Sequence, residues 1–462
     1  MTSQISTINP ANGATIADYT AWGTDAIEAA VQKAHGVALA WGKAPLAGRV
    51  VALRRIASVL RRDRDALARL ITIEMGKPLR EAEGEVEKSA VTATYYADQA
   101  ERLLADEPVS IDGVDAWVSY EPIGLVLAVM PWNFPLWQVM RFALPAVASG
   151  NGIVLKHSPN VTGSALAIEE LFVAAGLPSG LLTTLVVAEP DVPSTIEGLI
   201  QDDRIAAVTL TGSNRAGAAV GGAAGRVSKK SVLELGGSDA FVVLADADIE
   251  KAAAAAVKAR YHNAGQSCVC AKRFIVEAPV AERFTELFVA GVNKLVVGDP
   301  TDRQTDVGPM ARADLRDQLQ RQVDASVAAG ARLLAGGRER DGKGYFYEPT
   351  VLANVTPGMA AFDEETFGPV AAIAVAKDAD DAARLADASQ FGLSVSIWTG
   401  DKAFGVALAK RITTGAVFVN AVTASDARLP FGGTKKSGYG RELAAAGVRE
   451  FTNIRTYWAA AA

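Results

Sequence analysis

From Ala26 to Leu104 the apolar residues recur three or four positions apart, as in Val51-Ala-Leu-Arg-Arg-Ile-Ala-Ser-Val-Leu60, with charged residues between them. That period puts one apolar stripe on each of a run of helices. Near residue 124 the period disappears. Short, uninterrupted apolar runs take over: GLVLAVM (124–130), GIVLK (152–156), LLTTLVV (181–187) and AAVTLTG (206–212), separated by helical stretches such as Gly163 to Ala175. A strand without polar alternates is buried on both faces, as in a parallel sheet covered by helices, so the alternation predicts βαβ units in a doubly wound sheet. A second series follows, with SVLELGG (231–237), AFVVL (240–244), RFIVE (273–277) and AVFVN (416–420) as strands around helices at 248–260 and 279–295. The expected fold class is α/β with two doubly wound lobes. No linker-like segment or internal repeat marks the boundary between them.

The longest uncharged stretch, PIGLVLAVMPWNFPLWQVM between Glu121 and Arg141, has the length of a membrane span. Pro131 and Pro135 near its middle would break helical hydrogen bonding, so strand, then loop, then helix is the expected order. Composition supports a folded, water-borne chain: 462 residues, 50% hydrophobic and 21% charged, enough for two or three domains. The net charge of −6 recruits neither nucleic acid nor an anionic membrane surface. Cys268 and Cys270 are the only cysteines, which excludes a disulfide framework, and His35, His157 and His262 lack zinc-site spacing, so no metal site is expected. The N-terminus has no basic-then-apolar secretory pattern, which points to the cytoplasm.

Four constellations carry candidate chemistry. Thr211-Gly212-Ser213-Asn214-Arg215-Ala216-Gly217 follows a predicted strand and opens a predicted helix, where unpaired backbone N–H groups attract phosphate. A glycine-rich turn with an N-capping Ser213 explains the same residues without a ligand. Gly265-Gln266-Ser267-Cys268-Val269-Cys270 offers a thiolate nucleophile or only small buried hydrophobes. His262 nearby is a base for a Cys-His hydrolase only if an orienting carboxylate or amide exists, and none is identifiable. Glu234, in Leu233-Glu234-Leu235-Gly236-Gly237, is a general base if burial raises its pKa and an ordinary solvent-facing carboxylate if not. Asn133, in Met130-Pro131-Trp132-Asn133-Phe134-Pro135, lies beyond the C-terminal end of a predicted parallel strand, where open sheets bind ligands; it is either an oxyanion donor or a turn former.

These segments occur in one order with INPANG (8–13), EMGKP (74–78), LKHSPN (155–160), EETFGPV (364–370) and NAVTASDARLPFGGTKKSGYGRE (420–442). Together they resemble the aldehyde dehydrogenase superfamily over nearly the whole chain, and within it the bacterial succinate-semialdehyde dehydrogenases. The resemblance implies Cys268 as nucleophile, Glu234 as general base and Asn133 as oxyanion donor. The aldehyde would become a thiohemiacetal on Cys268, lose hydride to a nicotinamide, and leave as carboxylate after Glu234 activates water. Glu234 also argues against acyl transfer to coenzyme A, since acylating relatives lack it. Cofactor contacts implied are Trp132, Lys156, Gly212, Ser213, Gly217, Leu235, Glu365 and Phe367, with Lys156 and Glu365 as a ribose-binding pair. Pro159 stands where a glutamate would favour NAD and a hydroxyl residue NADP; NAD is the expected cofactor, with NADP open. Arg141, Ser425 and His262 are the implied substrate contacts, His262 replacing an arginine of some relatives.

The resemblance also implies an organisation. Residues 1–106 and 124–233 would bind the dinucleotide, 234–440 would form the catalytic domain, and 107–123 with 441–462 a small β region making a homodimer or homotetramer. The small-molecule partner is an aldehyde, succinate semialdehyde first. Glutarate semialdehyde or an aromatic aldehyde, with Trp137 and Phe451 bordering the tunnel, and a non-catalytic paralogue are the rivals. Cys270 is either a packed thiol or a partner for Cys268 in an oxidised bridge.

Overall fold

The computed structural model describes residues 3–460, so residues 1, 2, 461 and 462 of the expected terminal regions lie outside the described residues. The helical period of the N-terminal third resolves into Thr24–Gly42, Leu46–Arg62, Arg64–Met75 and Leu79–Leu103. In Leu79–Leu103 the stripe Ala82, Val86, Ala90, Ala93, Ala97 and Ala100 is fully buried. These are mostly small side chains at i, i+3 and i+4 spacing, which lets Leu46–Arg62 and Trp137–Ala148 pack closely on the same helix.

The apolar runs become two mainly parallel sheets. The first has six strands in the order Gly438–Tyr439, Lys230–Glu234, Ile205–Thr211, Leu125–Met130, Gly152–His157 and Leu182–Thr184; only the two-residue edge strand is antiparallel. The second has seven: Arg332–Ala335, Thr350–Ala353, Val370–Ala376, Ala271–Glu277, Asp239–Val243, Ser394–Trp398 and Ala416–Val419, again with one antiparallel edge. Two differences from the pattern-based reading matter. The run at 181–187 is a strand only over Leu182–Thr184. The run at 231–237, expected in the second series, ends as a strand at Glu234 and pairs in parallel with Ile205–Thr211 in the first sheet. The chain crosses to the second sheet at Asp239, through Leu235–Ser238.

The 122–140 stretch folds as expected, a strand at Leu125–Met130, a loop, then the helix Trp137–Ala148. No helix among the described residues is long and apolar enough to cross a membrane. A third, antiparallel sheet joins Thr452–Ala460, Val114–Pro122 and Glu107–Ile111. Residues Ala444–Glu450 form a helix rather than part of that sheet, and its Val448 sits in the core beside Trp137–Ala148. Met130 ends a strand of the first sheet, whereas Cys268 lies just before Ala271–Glu277 of the second. The candidate residues therefore gather where strand C-termini of one sheet face strand N-termini of the other, the position at which α/β sheets leave a crevice.

Candidate active site

The segment before Cys268 departs from ordinary backbone. Asn263, Ala264 and Gly265 all have positive φ, 54°, 52° and 71°, a left-handed run that costs free energy for the two non-glycine residues. The run is held from several sides. The Asn263 backbone N–H donates to Glu81 Oε2 at 2.7 Å, and its side-chain amide donates to the carbonyls of Asn133 and Gln266 at 2.9 and 3.0 Å. Asn133, buried, donates through Nδ2 to the same Gln266 carbonyl at 3.0 Å while its Oδ1 accepts from Gln138 at 3.0 Å. With the oxygen fixed by Gln138, the amide orientation is set, and one Nδ2 hydrogen remains for another acceptor. On the other side of the loop the fully buried Lys272 donates to the carbonyls of Ser267 and Cys268, both at 2.9 Å, and stands 3.5 Å from Glu365.

Cys268 is half-buried in the wall of a cavity of about 710 Å³. Burial pushes its thiol up to about 12, against the opposing pull of Arg141 and Lys272. That direction favours the protonated thiol over the thiolate that the sequence offered as one reading. Glu234 is buried at the end of its strand, and its Oε1 has no hydrogen-bond partner among the described residues. Burial, then the neighbouring Glu442 carboxylate, raises it to about 8, with Arg141 and Arg441 opposing. The double glycine after it has a steric reason: a Cβ on Gly237 would lie 2.7 Å from the Cys268 carbonyl oxygen. Only glycine lets the crossing chain come so close to the thiol-bearing loop.

Arg141, the expected substrate contact, is already engaged. It is buried, ion-paired with Glu442, 3.3 Å from the Thr211 hydroxyl and stacked over Phe431 at 4.6 Å. His262 lies at the cavity wall, 3.1 Å from Glu81 and stacked on Phe134. Ser425 also lines the cavity and accepts a hydrogen bond from Lys88 at 2.7 Å. Trp137 lines it too; Phe451, expected to border it, packs instead against Phe142 in the core. Cys270 is a buried free thiol directed at the His262 carbonyl at 3.6 Å.

The nucleotide-like turn lies across the first sheet. Ser213 caps the helix Asn214–Arg226, accepting from the Ala216 N–H at 3.3 Å. The Gly212 N–H donates to the Glu234 carbonyl at 2.9 Å, and a Cβ on Gly217 would overlap Leu235, so the turn packs directly on the Glu234 strand. A cavity of about 910 Å³ is lined by Lys156, Ser158, Pro159, Asn160, Glu189 and Arg215. Lys156 has no ion-pair partner there among the described residues, and burial brings it down to about 8. The buried Asn160 Nδ2 likewise lacks an acceptor among the described residues. An unpaired ammonium, an orphan amide donor and a helix N-terminus suit a polyhydroxylated, phosphorylated ligand. Glu365 is not beside Lys156: it accepts from the Gly237 N–H at 3.0 Å and faces Lys272, next to Cys268. Near it, Phe367 packs edge-on against Trp132 at 5.7 Å.

The aldehyde dehydrogenase family model matches residues 1–457 of this sequence. The chain belongs to the aldehyde dehydrogenase family. An Escherichia coli (strain K12) protein named succinate semialdehyde dehydrogenase [NAD(P)+] is 51% identical, covering 98% of this chain and 97% of that one. A Mycobacterium ulcerans succinate-semialdehyde dehydrogenase [NADP(+)] is 46% identical over 98% of this chain and 99% of its own. Among solved structures, the succinic semialdehyde dehydrogenase of Streptococcus pyogenes in complex with NADP+ superposes with a TM-score of 0.95 at 36% identity, covering 99% of this chain and 100% of that one.

Besides Asn160, three side chains of the candidate site escaped the sequence reading. Lys272 went unremarked, because nothing local says that its ammonium turns inward onto the Ser267 and Cys268 carbonyls. Glu442 ends the last quoted family segment, but its pairing with Arg141 is a contact between distant parts of the chain. Lys88 lies in a helix whose pattern predicts only a solvated face.

Proposed function

We propose that this aldehyde dehydrogenase oxidises succinate semialdehyde to succinate with NAD(P), through a thiohemiacetal and then a thioester on Cys268. The observation that carries the reading is the convergence of a cavity-lining thiol, an orphaned buried carboxylate and a fixed amide, Cys268, Glu234 and Asn133, between the two sheets. Lys156, Asn160, Gly212, Ser213, Gly217, Leu235, Trp132, Phe367 and Glu365 would hold the dinucleotide. When bound, its nicotinamide supplies the acceptor for the aldehyde hydride.

The protein's own groups account for the rest. As the thiol attacks the carbonyl carbon it must lose its proton, and Glu234 is the nearby carboxylate whose oxygen is otherwise unpartnered. The Asn133 amide and the Cys268 backbone N–H are the donors for the oxygen that becomes negative. Lys272 fixes the Ser267 carbonyl, which shares a peptide plane with that N–H and so orients it. In the second half Glu234, having returned its proton to solvent, deprotonates the water that cleaves the thioester. No carboxylate stands at Pro159 to repel a 2′-phosphate, which supports use of both cofactors.

We also propose a homo-oligomer built on the sheet containing Thr452–Ala460, whose outer edge is unpaired among the described residues and whose Ile454 and Trp458 are each 62% exposed. Initial rates with NAD and NADP across succinate semialdehyde, glutarate semialdehyde, butanal and benzaldehyde test the reading. Reduced-cofactor formation with succinate semialdehyde as the best substrate is expected. No reduction with any aldehyde would contradict the activity, and a better rate with benzaldehyde would contradict the substrate.

A further inference from the structure

The segment EMGKP (74–78) takes no part in the chemistry above, yet it supplies a fully buried lysine. Lys77, in the turn before Leu79–Leu103, forms an ion pair with Glu85 of that helix, and both side chains are shut off from water. Such a pair adds little net stability, because desolvating two charges offsets most of their attraction. What it does supply is a fixed geometry. Glu85 Oε2 takes the Lys77 ammonium, while Oε1 accepts from the backbone N–H groups of Leu136 and Trp137, both at 2.9 Å. These are unpaired donors at the start of Trp137–Ala148, where Leu136 offers no side-chain cap, and a carboxylate from another helix takes that place.

The helix so held and the ring beside it both bear on Asn133. Gln138, in the first turn of Trp137–Ala148, donates to Asn133 Oδ1. Phe134, the next residue, has its ring centre 3.7 Å from the Lys77 ammonium, and its carbonyl accepts from the Gln138 N–H at 3.1 Å. Glu81 stands one turn earlier on the same face of Leu79–Leu103. It accepts from the Asn263 N–H and lies against His262, whose ring stacks on Phe134. Burial lowers the pKa of Lys77, opposed by Glu85 and Glu81, so its charge depends on the same two carboxylates. Two acids four residues apart on one helix thus hold two loops, Glu85 that of Asn133 and Glu81 that leading to Cys268.

We propose that this helix face is a brace that fixes the oxyanion donor relative to the thiol. Glu85 and Lys77 are positioning residues for the Asn133 amide, and Glu81 is one for the thiol-bearing loop. The inference rests on the role of Asn133 in the proposed reaction.

The experiment measures two rates on the same proteins, with circular dichroism to verify folding. One is single-turnover formation of reduced cofactor from succinate semialdehyde; the other is alkylation of Cys268 by iodoacetamide, followed by the mass of its peptide. Both need the thiol, but displacement of iodide builds no negative charge on a carbonyl oxygen, so only the first draws on Asn133. Glu85→Gln is expected to slow the single turnover about 10–100-fold, with alkylation and cofactor affinity within about twofold of the wild type. Glu81→Gln should slow alkylation as well. In an Asn133→Ala background, Glu85→Gln should cost less than about twofold more, since the donor it positions is gone. Lys77→Met/Glu85→Gln leaves no buried charge unpaired and carries the same comparison if the single variant does not fold. A further loss of about tenfold on top of Asn133→Ala, an equal loss in alkylation, or an unchanged single turnover in folded Glu85→Gln would overturn the brace. If Asn133→Ala itself turns over once at the wild-type rate, the oxyanion role fails and the brace with it.

Discussion

Burial opposes ionisation of both groups that the proposed reaction must deprotonate, Cys268 at about 12 and Glu234 at about 8. Activity should therefore climb with pH as Glu234 ionises, rising between about pH 6 and about pH 9 with a midpoint near the folded value. A kcat profile flat across that range would exclude Glu234 as the rate-controlling base. Stability runs the other way. A carboxyl whose folded pKa is raised contributes fully below its unfolded value near 4.5 and loses that contribution as pH rises through about 8. Glu234→Gln should therefore gain Tm over the wild type, by more at alkaline than at acidic pH, as differential scanning calorimetry at both ends would show. Cys268→Ala should abolish turnover while cofactor still quenches tryptophan fluorescence. Residue identity was legible here because each candidate sits in a short local motif. What the sequence did not disclose was state: the neutral thiol depends on surroundings contributed by distant segments, as does the engagement of Arg141 by Glu442.

Among elements, the strands of the first sheet were read closely because doubly buried runs have few alternatives. The same property misassigned the run at 231–237. Both sheets use equally apolar strands, so membership is not encoded in the pattern, and the crossing at Leu235–Ser238 is visible only in the pairing. The largely exposed N-terminal hairpin Gln4–Ile8 with Thr15–Thr20 and the edge Arg332–Ala335 went unread, and so did the buried strands Thr350–Ala353, Val370–Ala376 and Ser394–Trp398 of the second sheet. The crossing gives its own prediction. In Gly237→Ala the new methyl meets the Cys268 carbonyl oxygen, so the thiol-bearing loop must shift; kcat should fall roughly 10–100-fold, the usual consequence of displacing a reacting group by a fraction of an ångström or more. Unchanged kcat in a folded variant would mean that the glycine is dispensable. At the neighbouring turn, Ser213→Ala should cost about 1 kcal/mol of stability through the lost helix cap, measurable by urea unfolding, and should raise KM for the cofactor.

At the scale of the molecule, two sheets supply separate halves of one site: the first contributes Asn133 and Glu234, the second the loop bearing Cys268 and the Lys272 that fixes it. Composition and charge spoke only to the class of partner. The free edge of Thr452–Ala460 was anticipated as an oligomer contact, and substituting Ile454 and Trp458 together with aspartate should lower the mass found by sedimentation equilibrium; an unchanged mass would place the contact elsewhere. The central claim is that oxidation proceeds through an acyl group on Cys268 whose release depends on Glu234. It is tested most directly by mixing Glu234→Gln with succinate semialdehyde and NAD(P), following reduced cofactor by stopped flow, and quenching for peptide mass spectrometry. The account predicts one reduced cofactor per active site, formed more slowly than in the wild type because the thiol has lost its base, followed by little turnover, with a succinyl group on the peptide carrying Cys268. Steady turnover beyond that first equivalent, and no adduct on that peptide, would contradict it.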